Sequence, residues 1–373
     1  MNTTSIPVTV DQVFGAALED CSTSAEVLPG VQHDFRFSVR NIGNGPDDIA
    51  LDIVDDGSGE GWTAALDRRS ARLSAGEAAQ LTLSVTSPAG AASGSEWKFQ
   101  LSALHAGRET TLFDIVSTVG RVRALSLSAG TAARAGDPGD ALRFTLAAVN
   151  GGNSAESVLF KVPKQEGLSL ELDQPDYSFQ PGERMELALA CKVLAGAAAG
   201  VRAFNVTASA RDDPSVNATL ELRVTVNAFF AGDLQFSFIR QEATAGGTAV
   251  FRCTLSNKGN SRDTFTIYKV SGTVDVRFEP ASVTLAPGAL ATVNITVAVP
   301  RDDAGGERVF KVAARSQGKS AEVAQRELTV EVPARPPADG GRIAVPLVAA
   351  AVVAAAAAAA VLFLRRRKKA RSA

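Results

Sequence analysis

Few side chains in this sequence are of a kind that does chemistry, and their spacing argues against most of it. His33 and His105 are the only 2 histidines of 373 residues, far apart and without the acidic or thiol neighbours that a metal site or general base needs. The 3 cysteines are Cys21, Cys191 and Cys253, too few for a disulfide framework. The acidic run Asp47, Asp48, Asp52, Asp55, Asp56 and Glu60 offers the oxygen ligands that calcium takes. Asp52, however, falls inside strand-like alternation and the spacing follows no calcium loop, so the run reads as a solvated acidic loop and strand edge. Trp62 and Trp97 read as core residues between two sheets, the competing role being stacking on a sugar ring. Asn2, Asn205, Asn217 and Asn294 each open an Asn-x-Ser/Thr sequon. Asn205 alternates with Phe204 and Val206, and Asn294 with Val293 and Ile295, so both are predicted to point outward; Asn217 is predicted in a loop. No catalytic, cofactor-binding or metal-ligating residue is expected, and no cofactor.

The elements behind these residues repeat. An Asn-x-Gly-Asn-x-x-acid signature recurs about every 108 residues as Asn41, Gly43, Asn44, Asp47, then Asn150, Gly152, Asn153, Glu156, then Asn257, Gly259, Asn260, Asp263. A glycine (Gly30, Gly139, Gly246) precedes each copy, and a second turn follows: Leu73 to Gly76, Phe179 to Gly182, Leu285 to Gly288. Period-two alternation runs between the landmarks, as in Phe35, Phe37, Val39 and Phe251, Cys253, Leu255 ahead of the Asn, and Leu81, Leu83, Val85 and Val293, Ile295, Val297 after the second turn. Asn and Gly suit turns because they tolerate positive φ and because the Asn side chain bonds nearby amides. Roughly seven short strands per copy predict immunoglobulin-like antiparallel sandwiches. Aligned by landmark, Cys253 stands where the sister copies have Phe37 and Leu146, and Cys191 where they have Val85 and Val297, so both are expected to be buried, inert thiols. Cys21, on the opposite face from Leu18, is left as the one candidate for an exposed thiol or an intermolecular disulfide.

Ile343 to Leu364 form 22 apolar residues, long enough for a membrane helix, followed by Arg365, Arg366, Arg367, Lys368 and Lys369 as a stop-transfer cluster. The sequence thus predicts an all-β chain of three tandem sandwiches with one C-terminal transmembrane helix. The expected divisions are 1–9, a closing strand of a preceding module or a disordered start; 10–119, 120–226 and 227–333, the modules; 334–342, a linker; 343–364, the helix; and 365–373, a cytoplasmic tail. The helix places the lipid bilayer among the partners, in the plasma membrane, with the modules outside and the C-terminus in the cytoplasm. The formal net charge of -2, with its basic residues clustered only in the tail, excludes nucleic acid as a partner.

The beginning of the chain also matches the repeat. Val8 to Leu18 resembles Val224 to Leu234, the junction between copies two and three, so Ile6 to Val10 reads as a closing strand and the natural polypeptide is expected to extend upstream by a module and a secretory signal.

In copy one Phe37-Ser-Val39-Arg-Asn41-Ile-Gly43-Asn44 with Gly61-Trp62-Thr-Ala64, and in copy three Asn257-Lys-Gly259-Asn260 with Leu285-Ala-Pro287-Gly288 and Val297-Ala-Val299-Pro300, resemble the Ig-like modules associated with alpha-galactosidases and NPCBM domains, and CARDB modules, of archaeal and bacterial surface proteins, over about residues 10 to 333. Copy two departs most, having Gly151 beside Gly152, Glu156 as its acid and no Trp. The resemblance implies a spacer or adhesion role and carries over no catalytic residue. The expected function is a non-enzymatic, membrane-anchored stalk, adhesion or envelope protein, with envelope polysaccharide or other surface proteins as partners. The competing expectation is the accessory and anchoring part of a surface glycosidase or protease.

Overall fold

Alternation in the sequence becomes layering in the structure. In β3 (Gln32–Asn41), Phe35, Phe37 and Val39 turn inward while Asp34 and Arg36 face water, and the same rule holds in β12 (Ala141–Asn150) and β21 (Thr248–Asn257). The computed structural model describes residues 4–20, 22–55, 57–106 and 108–334. These residues form three β-sandwiches in succession, each with its own apolar core.

Module 1 continues from β1 (Ala16–Glu19) and β2 (Ser24–Val27) through β3 to β4 (Asp47–Val54), β5 (Thr63–Leu66), β6 (Ser70–Leu73), β7 (Ala78–Thr86), β8 (Glu96–His105) and β9 (Arg108–Val119). Module 2 repeats the series as β10 (Leu125–Ala129), β11 (Ala133–Gly136), β12, β13 (Glu156–Lys161), β14 (Leu168–Leu172), β15 (Asp176–Phe179), β16 (Arg184–Val193), β17 (Gly200–Ala210) and β18 (Asn217–Val226). Module 3 does so as β19 (Gly232–Phe236), β20 (Arg240–Glu242), β21, β22 (Asp263–Ser271), β23 (Asp275–Glu279), β24 (Ser282–Leu285), β25 (Leu290–Ala298), β26 (Gly306–Ser316) and β27 (Ala321–Val332).

Each module pairs a four-stranded sheet with a five-stranded one, in module 1 β1-β3-β7-β5 against β2-β9-β8-β4-β6. The count is nine strands where the periodicity suggested roughly seven, for two reasons. The first strand breaks and changes sheet, so that β1 pairs β3 antiparallel and β2 pairs β9 parallel. The chain between the two landmark turns then crosses sheets twice more, β5 adding to β7 and β6 to β4. Such short strands of four residues carry too little alternation to be seen in sequence.

The large side chains in the cores, among them Phe37, Phe144, Phe251 and Phe310, are fully buried, each contributing about 1.5–3 kcal/mol. Cys191 and Cys253 are buried free thiols in the slots that alignment assigned to them. Trp97 is buried and Trp62 packs partly buried against the same core, their rings 5.7 Å apart. No helix among the described residues is long and apolar enough to cross a membrane. The expected helix 343–364, the Arg365 to Lys369 cluster, Cys21 and Asn2 lie outside the described residues.

Candidate functional site: the module junctions

The first Asn of each signature closes its own module. It ends its strand almost wholly buried, and its side chain makes three hydrogen bonds. Asn257 Nδ2 donates to Ser261 O at 2.8 Å and Leu285 O at 3.0 Å, while its Oδ1 accepts from Gly259 N at 2.9 Å. Asn41 bonds Gly45 O, Leu73 O and Gly43 N in the same way, and Asn150 bonds Ser154 O, Gln180 O and Gly152 N. The backbone adds a further tie, since Gly76, Gly182 and Gly288 N–H donate to the carbonyls of Asn41, Asn150 and Asn257. The two landmark turns, about thirty residues apart in sequence, are thus one structural unit.

The glycine between the two asparagines allows a close approach. A Cβ on Gly43, Gly152 or Gly259 would lie 2.3, 2.4 and 2.3 Å from the carbonyl oxygens of Val13, Val122 and Phe229, in the segment that leads into each module.

The second Asn holds that incoming segment and, through it, the preceding module. Asn153 Oδ1 accepts from Val122 N at 2.8 Å and its Nδ2 donates to Gly120 O at 2.9 Å. Asn260 repeats both bonds with Phe229 N at 2.7 Å and Asn227 O at 3.0 Å. Each also reaches across the junction. Asn153 Nδ2 donates to Ala91 O at 3.3 Å and accepts Ser93 N–H on its own carbonyl at 3.0 Å; Asn260 does the same with Ala197 O at 3.1 Å and Ala199 N at 2.9 Å. One asparagine, by its side chain and its own carbonyl, therefore ties its turn to two other backbone segments, one of them the loop of the preceding module.

The acid of the signature is buried in every copy, which corrects the reading of Asp47 as part of a solvated edge. It sits where the incoming segment meets the last hairpin of the module, and each copy treats it differently. In module 2, Arg123 grips Glu156 in a bidentate pair at 2.6 and 3.0 Å, and Arg121 adds a bond at 2.5 Å. Arg123 also pairs with Asp212 in the β17–β18 hairpin. In module 3, Asp263 accepts from Ser316 Oγ at 2.5 Å and Gly318 N at 2.9 Å, both in the β26–β27 hairpin. There Phe230 takes the place of Arg123, so close to that hairpin that a Cβ on Gly318 would lie 2.3 Å from its ring. In module 1 the corresponding residue is Phe14, stacked on His105 of the last hairpin with ring centroids 6.3 Å apart.

The other acids of the first module are dispersed. Asp48 faces Arg72, Asp52 faces Arg69, and Asp55 accepts a hydrogen bond from Trp97 Nε1 at 3.1 Å. Among the described residues no three or more His, Cys, Asp or Glu side chains are grouped to hold a metal ion. Burial pushes the Cys191 and Cys253 thiols up, Cys253 to about 12, so neither of these two is a nucleophile at neutral pH. His33 packs edge-on against Phe35. Asn205 and Asn294 are exposed between buried neighbours, as their alternation predicts. Asn217 is exposed too, but it opens β18 rather than lying in a loop, with its side chain folded back onto Pro214 O and Ser215 O.

Both junctions leave a cleft of matching construction. That between modules 2 and 3 has a volume of about 710 Å³ and is lined by Pro138, Ala195, Phe229, Lys258 and Pro287 among others; that between modules 1 and 2, of about 510 Å³, has Pro29, Ala89, Val122, Gly151 and Pro181 at the equivalent places.

No family model matches the chain, and no curated protein matches it. Among solved structures it is similar to the titin I-band fragment I67–I69 at 11% identity and TM-score 0.34, covering 88% of this chain and 100% of that one. It is also similar to the extracellular domain of protocadherin GammaB4 (12%, TM-score 0.44, 83% of this chain and 47% of that one) and to mouse cadherin-23 EC22-24 (14%, TM-score 0.40, 86% and 99%). At these values the comparisons add nothing to the sandwich architecture already seen.

Proposed function

We propose that this protein is a non-enzymatic, membrane-anchored surface protein whose three modules form a stiff spacer or adhesion array outside the cell. The observation that supports this most is the repeated junction. Asn153 and Asn260 make the same cross-module bonds at both joints, so what the chain preserves from copy to copy is the coupling between modules, while the charged groups beside it, Arg121, Arg123, Glu156 and Asp212, belong to one joint alone among the described residues. At about 35 Å per module, from ten-residue strands at 3.4 Å rise, the array would reach on the order of 100 Å. The apolar run 343–364 with its basic flank is the anchor in this reading, and Asn205, Asn217 and Asn294 are glycosylation acceptors on the exposed surface.

Protease added to intact cells tests the topology: the modules should be digested and the tail spared, whereas protected modules reverse the orientation. Glycosidase treatment should lower the mass of the native protein, and an unchanged mass removes the acceptor role. Robust hydrolase turnover by the purified protein, abolished by one point substitution within the modules, would replace this reading with an enzymatic one. For a polysaccharide partner, titration calorimetry with envelope polysaccharide and the wild-type and Trp62→Ala chains is the direct measurement.

A further inference from the structure

Module 1 carries, at its N-terminal pole, the same seat that modules 2 and 3 use at their junctions. Asn44 Oδ1 accepts from Val13 N at 2.7 Å, its Nδ2 donates to Asp11 O at 3.0 Å, and its own N–H donates to Val13 O at 3.1 Å. These three bonds reproduce those of Asn153 and Asn260. Asn260 is 8% exposed under its neighbour's loop and Asn153 is half-buried, while Asn44 is exposed.

A second observation stands beside the first. Ile6, Val8 and Val10 align with Leu222, Val224 and Val226 of β18 and with Leu328, Val330 and Val332 of β27. Those six side chains are at most 4% exposed, whereas Ile6, Val8 and Val10 are 81, 82 and 77% exposed and belong to no strand. An alternating apolar segment facing water lies directly before an open seat.

We propose that this end of module 1 is a docking surface for a further β-sandwich of the same kind. The partner takes residues 5–10 as its last strand and lays the loop before its penultimate strand on Asn44. The two filled seats define what that loop must offer: small residues, a carbonyl to accept from Nδ2 and, two residues on, an N–H to donate to the Asn carbonyl, as Ala91 and Ser93 or Ala197 and Ala199 do. Module 3 of a second copy does not meet this requirement. At the equivalent positions, Gly305 N–H is already bonded to Asp303 Oδ1 at 2.9 Å, and Asp303 is held by Arg308. Head-to-tail self-assembly is therefore not the use of this surface.

The test supplies the partner from the protein's own repertoire. A copy of residues 121–221, module 2 up to the middle of β18, is joined ahead of Ile6 in the full chain, so that Ile6 to Val10 can complete it. The expected result is that the Ile6, Val8 and Val10 amides slow in hydrogen exchange by about 100-fold or more, and that Val8→Asp abolishes this protection. If these amides keep their unprotected rates, the strand-donation half is overturned. A second chain, in which a complete copy of residues 121–227 is joined to Gln12, folds without that donation and tests the seat alone. With only the added copy isotope-labelled, its Ala199 amide should be protected, and Asn44→Ala should return it toward the unprotected rate. An Ala199 amide that exchanges freely beside a protected core amide of the same copy overturns the seat.

Discussion

Arg123 and Phe230 stand at the same place in successive modules, and each latches the segment entering its module to that module's last hairpin. Arg123 does so by charge, through Glu156 and Asp212, and Phe230 by laying its ring against Gly318. One scaffold position therefore holds an electrostatic latch at one joint and an apolar latch at the next.

This difference predicts a difference in pH response. Hydrogen bonding to Arg123 holds the Asp212 carboxyl below the usual carboxylate range. A depressed carboxyl stabilises the folded state above its unfolded value of about 3.9, and that contribution is lost as pH falls through the lower folded value. The first joint should therefore loosen below about pH 4 while the Phe230 latch holds. Protection of the Val122 amide against that of Phe229, corrected for intrinsic exchange, measures this. Simultaneous loosening of both would show that the two latches do not set the response.

Asn257→Ala leaves the carbonyls of Ser261 and Leu285 and the Gly259 N–H without their buried partner. Module 3 should lose about 3 kcal/mol, since each orphaned buried group costs about 1–3 kcal/mol. Urea unfolding followed by a module 3 probe checks it, and a loss below about 1 kcal/mol would mean that the two turns are held together by backbone alone.

Two glycines of the same module should respond for different reasons. Gly288 has φ +73 and open space around it, so Gly288→Ala costs backbone strain of about 1 kcal/mol and leaves the joint intact. Gly259→Ala drives a methyl into the Phe229 carbonyl, so it should both destabilise module 3 and expose the Phe229 amide to exchange. Equal effects of the two substitutions on that amide would remove the close-approach explanation.

Cys191→Val and Cys253→Val should each be tolerated within about 1.5 kcal/mol, because Val85 and Val297 fill the first slot in the sister modules and the apolar Phe37 and Leu146 fill the second. In the native wild-type chain Cys253, its thiol near 12, should resist iodoacetamide at pH 8 and react only after denaturation.

The landmarks that carry the fold were legible because they are local. Asn41, Asn150 and Asn257 with their following glycines recur at fixed offsets, and the core of each β3-like strand follows from its alternation. What the second Asn does was not legible, since Asn153 and Ala91 are 62 residues apart and meet only once two modules are stacked. The burial of Asp47, Glu156 and Asp263 was hidden for a similar reason: Glu156 meets arginines, Asp263 meets a serine and a backbone amide, and Asp47 Oδ2 is buried without a hydrogen bond among the described residues, so no repeated pattern marks them. Phe14 and Phe230 share a position with Arg123 but not its chemistry, and only the hairpin each one touches reveals the equivalence.

The broken first strand of each module has a mechanical consequence. In module 2, β11 runs parallel to β18 with Ala133 beside Arg223 and Gly136 beside Val226. The chain thus enters at one pole and leaves at the other, with its first and last strands side by side. Tension between the ends pulls these strands in opposite directions along their length, loading every rung of the ladder at once in shear rather than peeling the rungs apart singly. The same parallel pairing recurs as β2 with β9 and β20 with β27, so an array pulled from its ends carries the load through three shear-loaded clamps in series.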